Sequence, residues 1–447
     1  MGSYARLFLA LVVSASVARA GEVERAARFA MLEDAQEPAA SATRGAPSGV
    51  ADEIRAFNAP RAANPEYLKE KLLRIASGPW SFLRGTAHLF YRRIAADPSG
   101  LTPFITPASS KVVIHGDFHM QNCGTFEDGR GKVRYDVQDF DDSTRGPYVL
   151  DVLRAATSTL IMAEDAQVSA SDARDATHAL LEEYVDAVDD AAAGRLDPDF
   201  SFKEDDAKGP IAAVIARAKQ VTRKEHLKSR CKDRRFRRGE KFFDVSEDLA
   251  ASIGSAVAGK KKVHDVARKK SSGCGSLGLD NFVVLVETSG NPDEDVILEL
   301  KEQITPSPVA YLPAIMGSAP AALAADPAVR AVTAQRVLQS NPDRWIDAVK
   351  IGRKSFLVRE DSPAKDGLVS TDIGSAKDLE HAAKAVARLA AKAHTRQFGG
   401  AAAAIRKAIG EKKAFVDALA ALADVQAKGV HADYREYLKS PLARGEW

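Results

Sequence analysis

The sequence predicts an α+β protein, and two observations carry that prediction. Long Ala-rich stretches at 172–193 and 378–396 place apolar residues at helical spacing, which is typical of amphipathic helices. Between them, residues 281–288 and 296–303 have strand character and flank a polar turn, which predicts a β-hairpin. The 447 residues are 45% hydrophobic and 28% charged, the balance of a globular protein of one large or several ordinary domains.

Other segments complete the predicted element order. Helices are expected at 65–96, 149–163, 321–340 and 401–427, and Ser171 is the expected N-cap of the helix at 172–193. Further short strands are expected at 111–114, 134–137 and 355–361. Residues 196–245 are polar and predict irregular structure with a basic run at 223–243.

The first twenty residues have the layout of a secretory signal peptide. Arg6 precedes an apolar run from Leu7 to Val13, and the segment ends in the A-x-A pattern Ala18-Arg19-Ala20. We expect cleavage after Ala20 and export to the periplasm or the exterior; an uncleaved interfacial anchor is the alternative. No later stretch predicts a transmembrane span. Removal of 1–20 takes away two arginines and no acidic residue, leaving 61 basic and 61 acidic side chains, so global charge gives no strong nucleic-acid signal.

The stretch VVIHGDFHMQN, residues 112–122, ends a hydrophobic strand in a dense polar cluster. Asp117 and Asn122 lie five residues apart, and Asp139 follows after a predicted hairpin. One carboxylate can accept the proton of an attacking hydroxyl, while an amide and a second carboxylate hold the metal that neutralises phosphates. Hard oxygen ligands of this kind suit Mg²⁺. An ordinary polar turn is the alternative interpretation.

The pattern H-G-D-x-x-x-x-N followed by D-F resembles the catalytic and metal loops of the protein-kinase-like superfamily, which includes the aminoglycoside phosphotransferases. The longer segments HGDFHMQNCG and YDVQDFDDSTRGPYVLDVLRAATS resemble the bacterial domain of unknown function 2252 family. The resemblance implies a two-lobed fold that takes Mg²⁺ or Mn²⁺ and ATP or another nucleotide. It also implies Asp117 as catalytic base, Asn122, Asp139 and Asp141 as metal ligands, with Asp142 as an alternative to Asp141, and Asp151 and Arg154 as supports of the loop.

A kinase also has a glycine-rich loop over the phosphates and a lysine on a nearby strand. The segment GCGSLG supplies Gly273, Gly275, Ser276 and Gly278 ahead of a strand, and Lys301 in VILELKEQ resembles the lysine of V-A-I-K. These parts follow the catalytic loop here, whereas they precede it in kinases. The resemblance therefore implies a circularly permuted kinase-like fold, with the end of the helix at 387–396, which contains His394, near the catalytic strand.

Two features depart from the kinase pattern. The helix expected to supply a glutamate to the strand lysine, 330–339, has none, and Glu302 beside Lys301 points to the opposite face of the strand. The partner of Lys301 is therefore left open. The metal loop reads DFD in place of DFG, which adds the charge of Asp141.

Several other residues have competing interpretations. His115 is expected to brace the catalytic loop, and His119 to contact a phosphate or to support the turn. A zinc site of His115, His119 and Cys123 would need a helix that Gly116 disfavours. A disulfide between Cys123 and Cys274 is a further hypothesis. Arg84 is either a phosphate ligand or a surface arginine.

The predicted organisation has five parts. These are a signal peptide at 1–20, a partly ordered lead-in at 21–64, a catalytic-loop part at 65–245, a β-rich part with the glycine loop and lysine strand at 246–375, and C-terminal helices at 376–447. The expected function is metal-dependent phosphoryl transfer to a small hydroxylated molecule or a protein. The alternatives are a catalytically silent nucleotide- or phospholigand-binding protein of the envelope and an anion binder that uses the basic run.

Overall fold

The computed structural model describes residues 49–62, 65–259, 261–270, 273, 275 and 277–446. The predicted signal peptide, residues 21–48 of the predicted lead-in, Cys274 and Ser276 lie outside this part of the chain. The described part of the lead-in is a helix, α1, over Val50–Asn58. Within the described ranges, no helix is long and apolar enough to cross a membrane.

The chain is an α+β protein, as the sequence predicts. After α1, the helices are α2 (Pro65–Ile75), α3 (Pro79–Gly85), α4 (Ala87–Ala96), α5 (Tyr148–Asp165), α6 (Ala170–Ala192), α7 (Gly209–Lys219), α8 (Arg223–Arg230), α9 (Glu247–Ala258), α10 (Leu312–Met316), α11 (Pro327–Leu338), α12 (Ala376–Thr395), α13 (Ala401–Ile409) and α14 (Lys412–Leu438). The strands are β1 (Val113–Ile114), β2 (Cys123–Glu127), β3 (Val133–Val137), β4 (Thr144–Arg145), β5 (Cys231–Lys232), β6 (Arg235–Phe236), β7 (Phe242–Phe243), β8 (Val263–Lys269), β9 (Asn281–Val286), β10 (Val296–Gln303), β11 (Asp347–Ile351) and β12 (Lys354–Glu360).

A helical core contains α5, α6, α12 and α14 and carries the two short antiparallel pairs β1–β4 and β2–β3. The N-cap of α6 is Ser169, whose hydroxyl accepts from the Asp172 amide, so the expected N-cap at Ser171 is wrong by two residues. The single helix expected at 401–427 is two helices that meet at Gly410, which has a φ of 68°. The helix expected at 65–96 is likewise three helices, α2 to α4.

The second layer is a six-stranded antiparallel sheet in the order β11-β12-β10-β9-β8-β7. The predicted hairpin is β9–β10, with Lys301 opposite Asn281. Strands β8 and β11 have no counterpart in the sequence prediction. One face of the sheet is an apolar layer around Phe282, Leu298 and Phe356, against which α9 packs. The opposite face carries Lys301 and faces the helical core.

The basic run 223–243 is ordered secondary structure, so the expectation of irregular structure there is wrong. It forms α8, the hairpin β5–β6 and the edge strand β7. Its apolar residues pack on the Lys301-bearing face of the sheet, with Phe236 and Phe242 in contact with a cluster that includes Val283. Many of its cations are held in ion pairs within the chain: Arg223–Glu360, Lys224–Asp293, Arg230–Asp361, Arg234–Asp295 and Arg238–Asp265.

One buried ion pair ties α12 to β3. The Lys392 ammonium donates to both carboxylate oxygens of Asp136 at 2.7 and 2.8 Å, and also to the Leu338 carbonyl and the Ser340 hydroxyl. Both side chains of the pair are fully buried. Burial lowers the pKa of Lys392 to about 8. The pair therefore fixes α12 to β3, the strand that leads into Asp139.

We expect Lys392→Ala to lower the free energy of unfolding by about 3–5 kcal/mol, because it leaves Asp136 charged and unpaired in the core. Lys384→Ala on the same helix is the matched control: it removes an exposed pair with Glu380, which is worth about 0.5 kcal/mol or less. Urea unfolding of both variants measures the difference. Equal, small losses in the two variants would contradict the role assigned to the buried pair.

Candidate functional site

The loop after β1 is anchored by Asp151 at the start of α5. The Asp151 carboxylate accepts from the backbone amides of His115 at 2.6 Å and Gly116 at 3.0 Å, and its Oδ2 lies 3.1 Å from His394 Nε2 of α12. Gly116 has a φ of 82°, and a Cβ there would lie 1.9 Å from the Asp142 carbonyl oxygen. The glycine of the H-G-D motif is therefore required by the close approach of these two loops.

The two histidines of the loop differ in their contacts. His115 Nε2 donates to the Gln138 carbonyl at 2.7 Å, and its Nδ1 accepts from the Asp117 amide, so the ring braces the loop. His119 packs edge-on against Trp80 and lies at the cavity, with Nε2 3.7 Å from Asp117 Oδ2. Burial and the nearby Arg84 hold the pKa of His119 well below its usual range, so this ring is neutral.

Asp117 is the carboxylate that the sequence predicts as a base. Arg154 donates to its Oδ1 through Nε at 2.9 Å and Nη2 at 2.7 Å, and the same guanidinium is fixed by the Leu83 carbonyl. This arrangement directs Oδ2 away from Arg154. Burial raises the pKa of Asp117 to about 6, although the positive charge of Arg154 opposes that shift. A carboxyl with this pKa is ionised at neutral pH and close to the range that suits a general base.

The three predicted metal ligands lie beside this carboxylate. Asn122 Nδ2 donates to the Asp117 carbonyl at 2.7 Å, which makes Oδ1 the atom of that amide able to bind a cation. Asp139 has a φ of 61° and a side chain that is 44% exposed. Asp141 accepts from Gln303 Nε2 at 2.7 Å. Two carboxylates and an amide oxygen are a set that Mg²⁺ accepts when phosphates complete its coordination.

Lys301 reaches this site from the sheet. It lies on β10, the third of the consecutive antiparallel strands β8, β9 and β10, and the glycine-containing loop joins the first two of these. The Lys301 ammonium lies 2.9 Å from Asp139 Oδ1 and also pairs with Asp141. Burial would lower the pKa of Lys301, but these two carboxylates outweigh it and raise that pKa. The partner of Lys301 that the sequence left open is therefore the pair of carboxylates in the D-F-D loop.

Helix α11, which has no glutamate to offer Lys301, contacts the D-F-D loop through an arginine. Arg330 donates to the backbone carbonyls of Phe140 and Ser143, so it holds the D-F-D loop by its main chain. Glu302 points to the other face of β10, where it accepts from Lys354, as the strand alternation predicts. Helix α11 therefore supports the D-F-D loop through Arg330 rather than through a glutamate.

The described glycines of GCGSLG have separate positions. Gly273 and Gly275 line the cavity, and the Gly275 carbonyl accepts from Lys71 Nζ at 2.6 Å. Gly278 has a φ of 107° and lies against Ala62, so it serves the turn rather than the cavity wall. Ser276 lies outside the described residues.

A cavity of about 100 Å³ joins these parts. Asp117, Asn122, Asp139 and Asp141 form one side. Arg61, Lys71 and Arg84, from the N-terminal helical segment, line the same cavity. The sequence suggested only Arg84 for this role. No sequence motif surrounds Arg61 or Lys71. Both contact residues more than 200 positions away, so the neighbouring sequence does not indicate that they lie at the cavity.

A zinc site of His115, His119 and Cys123 was weighed from the sequence as an alternative that Gly116 disfavours. Among the residues the structure describes, no three His, Cys, Asp or Glu side chains are grouped so that they alone hold a metal ion. The zinc site of His115, His119 and Cys123 is therefore wrong. Cys123 and Cys231 are buried free thiols. The predicted partner of Cys123, Cys274, lies outside the described ranges.

The chain belongs to a bacterial protein family. The profile of the family described as "uncharacterized protein conserved in bacteria", domain of unknown function 2252, matches residues 63–440. A search of curated proteins finds no match. A search of solved structures finds none either.

The raised pKa of Asp117 predicts a pH dependence of stability. Below about pH 3 the carboxyl is protonated in both states; between pH 3 and pH 6 the unfolded state ionises first, so the stability contributed by the buried, protonated carboxyl is lost. The unfolding free energy of the wild type, minus that of Asp117→Asn, should therefore fall by about 3 kcal/mol between pH 3 and pH 7. Urea unfolding across this range measures it. A difference that rises with pH would show that Arg154 outweighs burial.

Proposed function

We propose that this family member is a metal-dependent phosphotransferase with a circularly permuted, kinase-like arrangement of two lobes. The observation that carries the proposal is the convergence of Asp117, Asn122 and Asp139 with a glycine-containing loop on one cavity, together with the ion pair that joins Lys301 to Asp139. These residues come from three separate parts of the chain. Phosphoryl transfer is chemistry in which positioning and charge neutralisation supply most of the catalysis, and this set provides both.

The permuted order has support from the end of α12. Gln397 Oε1 accepts from the Val113 amide at 2.6 Å, and Gln397 Nε2 donates to the Val113 carbonyl at 2.8 Å. The end of the helix at 387–396 thus lies against the catalytic strand, as the kinase resemblance implies, although 284 residues separate the two.

In the proposed reaction, Asp117 Oδ2 accepts the proton of the acceptor hydroxyl as its oxygen attacks the terminal phosphorus. The new P–O bond forms while the P–O bond to the leaving phosphate breaks, and that leaving oxygen keeps the electron pair. A divalent cation would supply neutralisation of the phosphate charge, held by Asn122, Asp139 and Asp141. Arg154 keeps Asp117 oriented, and Lys301 would turn from the carboxylates toward the phosphates.

A catalytically silent binding protein is the second candidate, and one observation favours it. Lys301 pairs with both Asp139 and Asp141, so a cation must compete with its ammonium for these carboxylates. The two candidates differ in whether a phosphoryl group is transferred after the ligand binds. Anion binding by the basic run has less support, since many of its cations are already paired within the chain.

Asp117→Asn and Asp139→Asn are expected to separate binding from catalysis. A ligand at 100 times its Kd stabilises the folded state by about 2.7 kcal/mol. With Mg²⁺ and a phosphoanhydride, and with water in place of the acceptor hydroxyl, Asp117→Asn should keep this stabilisation but release phosphate at least about 100-fold more slowly, since it removes only the base. Asp139→Asn should lose the Mg²⁺-dependent part of the stabilisation.

Thermal unfolding and phosphate release measure the two effects, and Asp293→Asn, which changes a half-exposed surface aspartate, is the matched control. Binding without phosphate release in the wild type would favour the silent protein. No Mg²⁺-dependent stabilisation by any phosphoanhydride would refute both candidates.

A further inference from the structure

The sheet face that carries Lys301 is charged where a nucleotide base would be expected. Glu299 lies two residues before Lys301 on β10, on the same face, at the place of the small Ala in V-A-I-K. It is buried, and its Oε1 accepts from Lys269 at 2.7 Å while its Oε2 accepts from Arg359 at 2.9 Å. The position of a small apolar residue is thus taken by a carboxylate that Lys269, Arg359 and, at 3.9 Å, Lys365 all pair with.

The ion pairs of Glu299 belong to a larger network that reaches Asp361 and α8. Lys269 also lies 3.3 Å from Asp361, which follows β12, and Asp361 lies 3.4 Å from Arg230 of α8. Removal of one partner from such a buried network leaves an uncompensated charge, which is strongly unfavourable. A planar base has no means to replace these partners. The network therefore excludes a base from this part of the sheet face.

The apolar remainder of the same face is covered by the chain itself. Leu227, Phe236 and Phe242, all from the basic run, pack against Val283 and the apolar residues beside it. Bases are held by stacking and by apolar walls. Across the described residues, this face therefore offers no apolar slot next to Lys301.

The cavity that remains is small and polar. Its volume is about 100 Å³, whereas sites that enclose ligands of drug size span roughly 300–1,000 Å³. Arg61 is held in place by stacking on Phe57 at 3.4 Å and by the Phe57 and Thr305 carbonyls. Arg61, Lys71 and Arg84 line the same cavity as the carboxylates proposed to bind the metal ion. A cationic wall of this kind beside a metal site suits a short chain of phosphates.

We propose that the phosphoryl donor is a phosphoanhydride recognised through its phosphates alone, an inorganic polyphosphate or pyrophosphate, rather than a nucleotide recognised by its base. This inference rests on the proposed phosphotransferase function and narrows its donor. The terminal P–O–P bond breaks, the acceptor oxygen takes the terminal phosphoryl group, and the shortened phosphate chain leaves with the electron pair. The proton of the acceptor goes to Asp117.

Calorimetric titration of the full chain in Mg²⁺ tests the donor class with tripolyphosphate, pyrophosphate, ATP and adenosine. We expect the Kd of tripolyphosphate to be no more than threefold higher than that of ATP, and adenosine not to compete. A Kd for tripolyphosphate more than threefold higher than that of ATP, or competition by adenosine, would overturn the proposal. Phosphate transfer from ATP but not from either inorganic donor would overturn it while the phosphotransferase function stands. If no compound binds, both fail.

A pair of variants tests the cationic wall. Arg61→Gln should weaken tripolyphosphate binding at least tenfold, whereas Arg55→Gln, an exposed arginine on α1 outside the cavity, should leave it unchanged. Thermal unfolding of both variants checks that they are folded. Unchanged tripolyphosphate binding in a folded Arg61→Gln variant would contradict the role of the cationic wall in binding phosphates. If Arg61→Gln does not fold, the comparison of ligands on the wild type still decides the donor class.

Discussion

The structure depends on the concentration of carboxylates in one small cavity. Asp117, Asp139, Asp141 and Asp142 lie close together, and like charges in a partly buried site repel unless each has a partner. Those partners come from distant parts of the chain: Arg154 from α5, Lys301 from the sheet, and the Ser307 amide, which donates to Asp142 at 2.6 Å. The helical core and the sheet are thus joined at the place where chemistry is proposed.

The cations around the D-F-D loop are arranged differently from those of the kinase pattern. An arginine on α11 holds the backbone of the D-F-D loop, and the lysine of β10 pairs with that loop directly. The ammonium neutralises carboxylates that would otherwise repel each other. In the proposed reaction a cation would take the place of this ammonium, and Lys301 would then be available to the phosphates.

The sequence predicted the features that contiguous residues encode. The loop at 112–122, the D-F-D segment and the hairpin β9–β10 carry local patterns, and each lies where that pattern indicates. Strand β8 was missed because its exposed-looking charges, Asp265 and Lys269 among them, are matched by Arg238 and Glu299 far away in sequence. The fold of 223–243 was missed for the same reason. A charged side chain with a long-range partner resembles a solvated one until the partner is known.

Two independent features bear on the donor. The predicted signal peptide would take the chain to a compartment where nucleotides are scarce, and that expectation comes from residues 1–20 alone. The filled sheet face comes from Glu299, its cationic partners and the segment packed beside them. Neither feature requires the other. If the chain is exported, a donor held by its phosphates removes the conflict between location and chemistry. If the chain stays inside the cell, the side chains packed on the sheet face still disfavour a base beside Lys301, because this packing does not depend on where the protein is located.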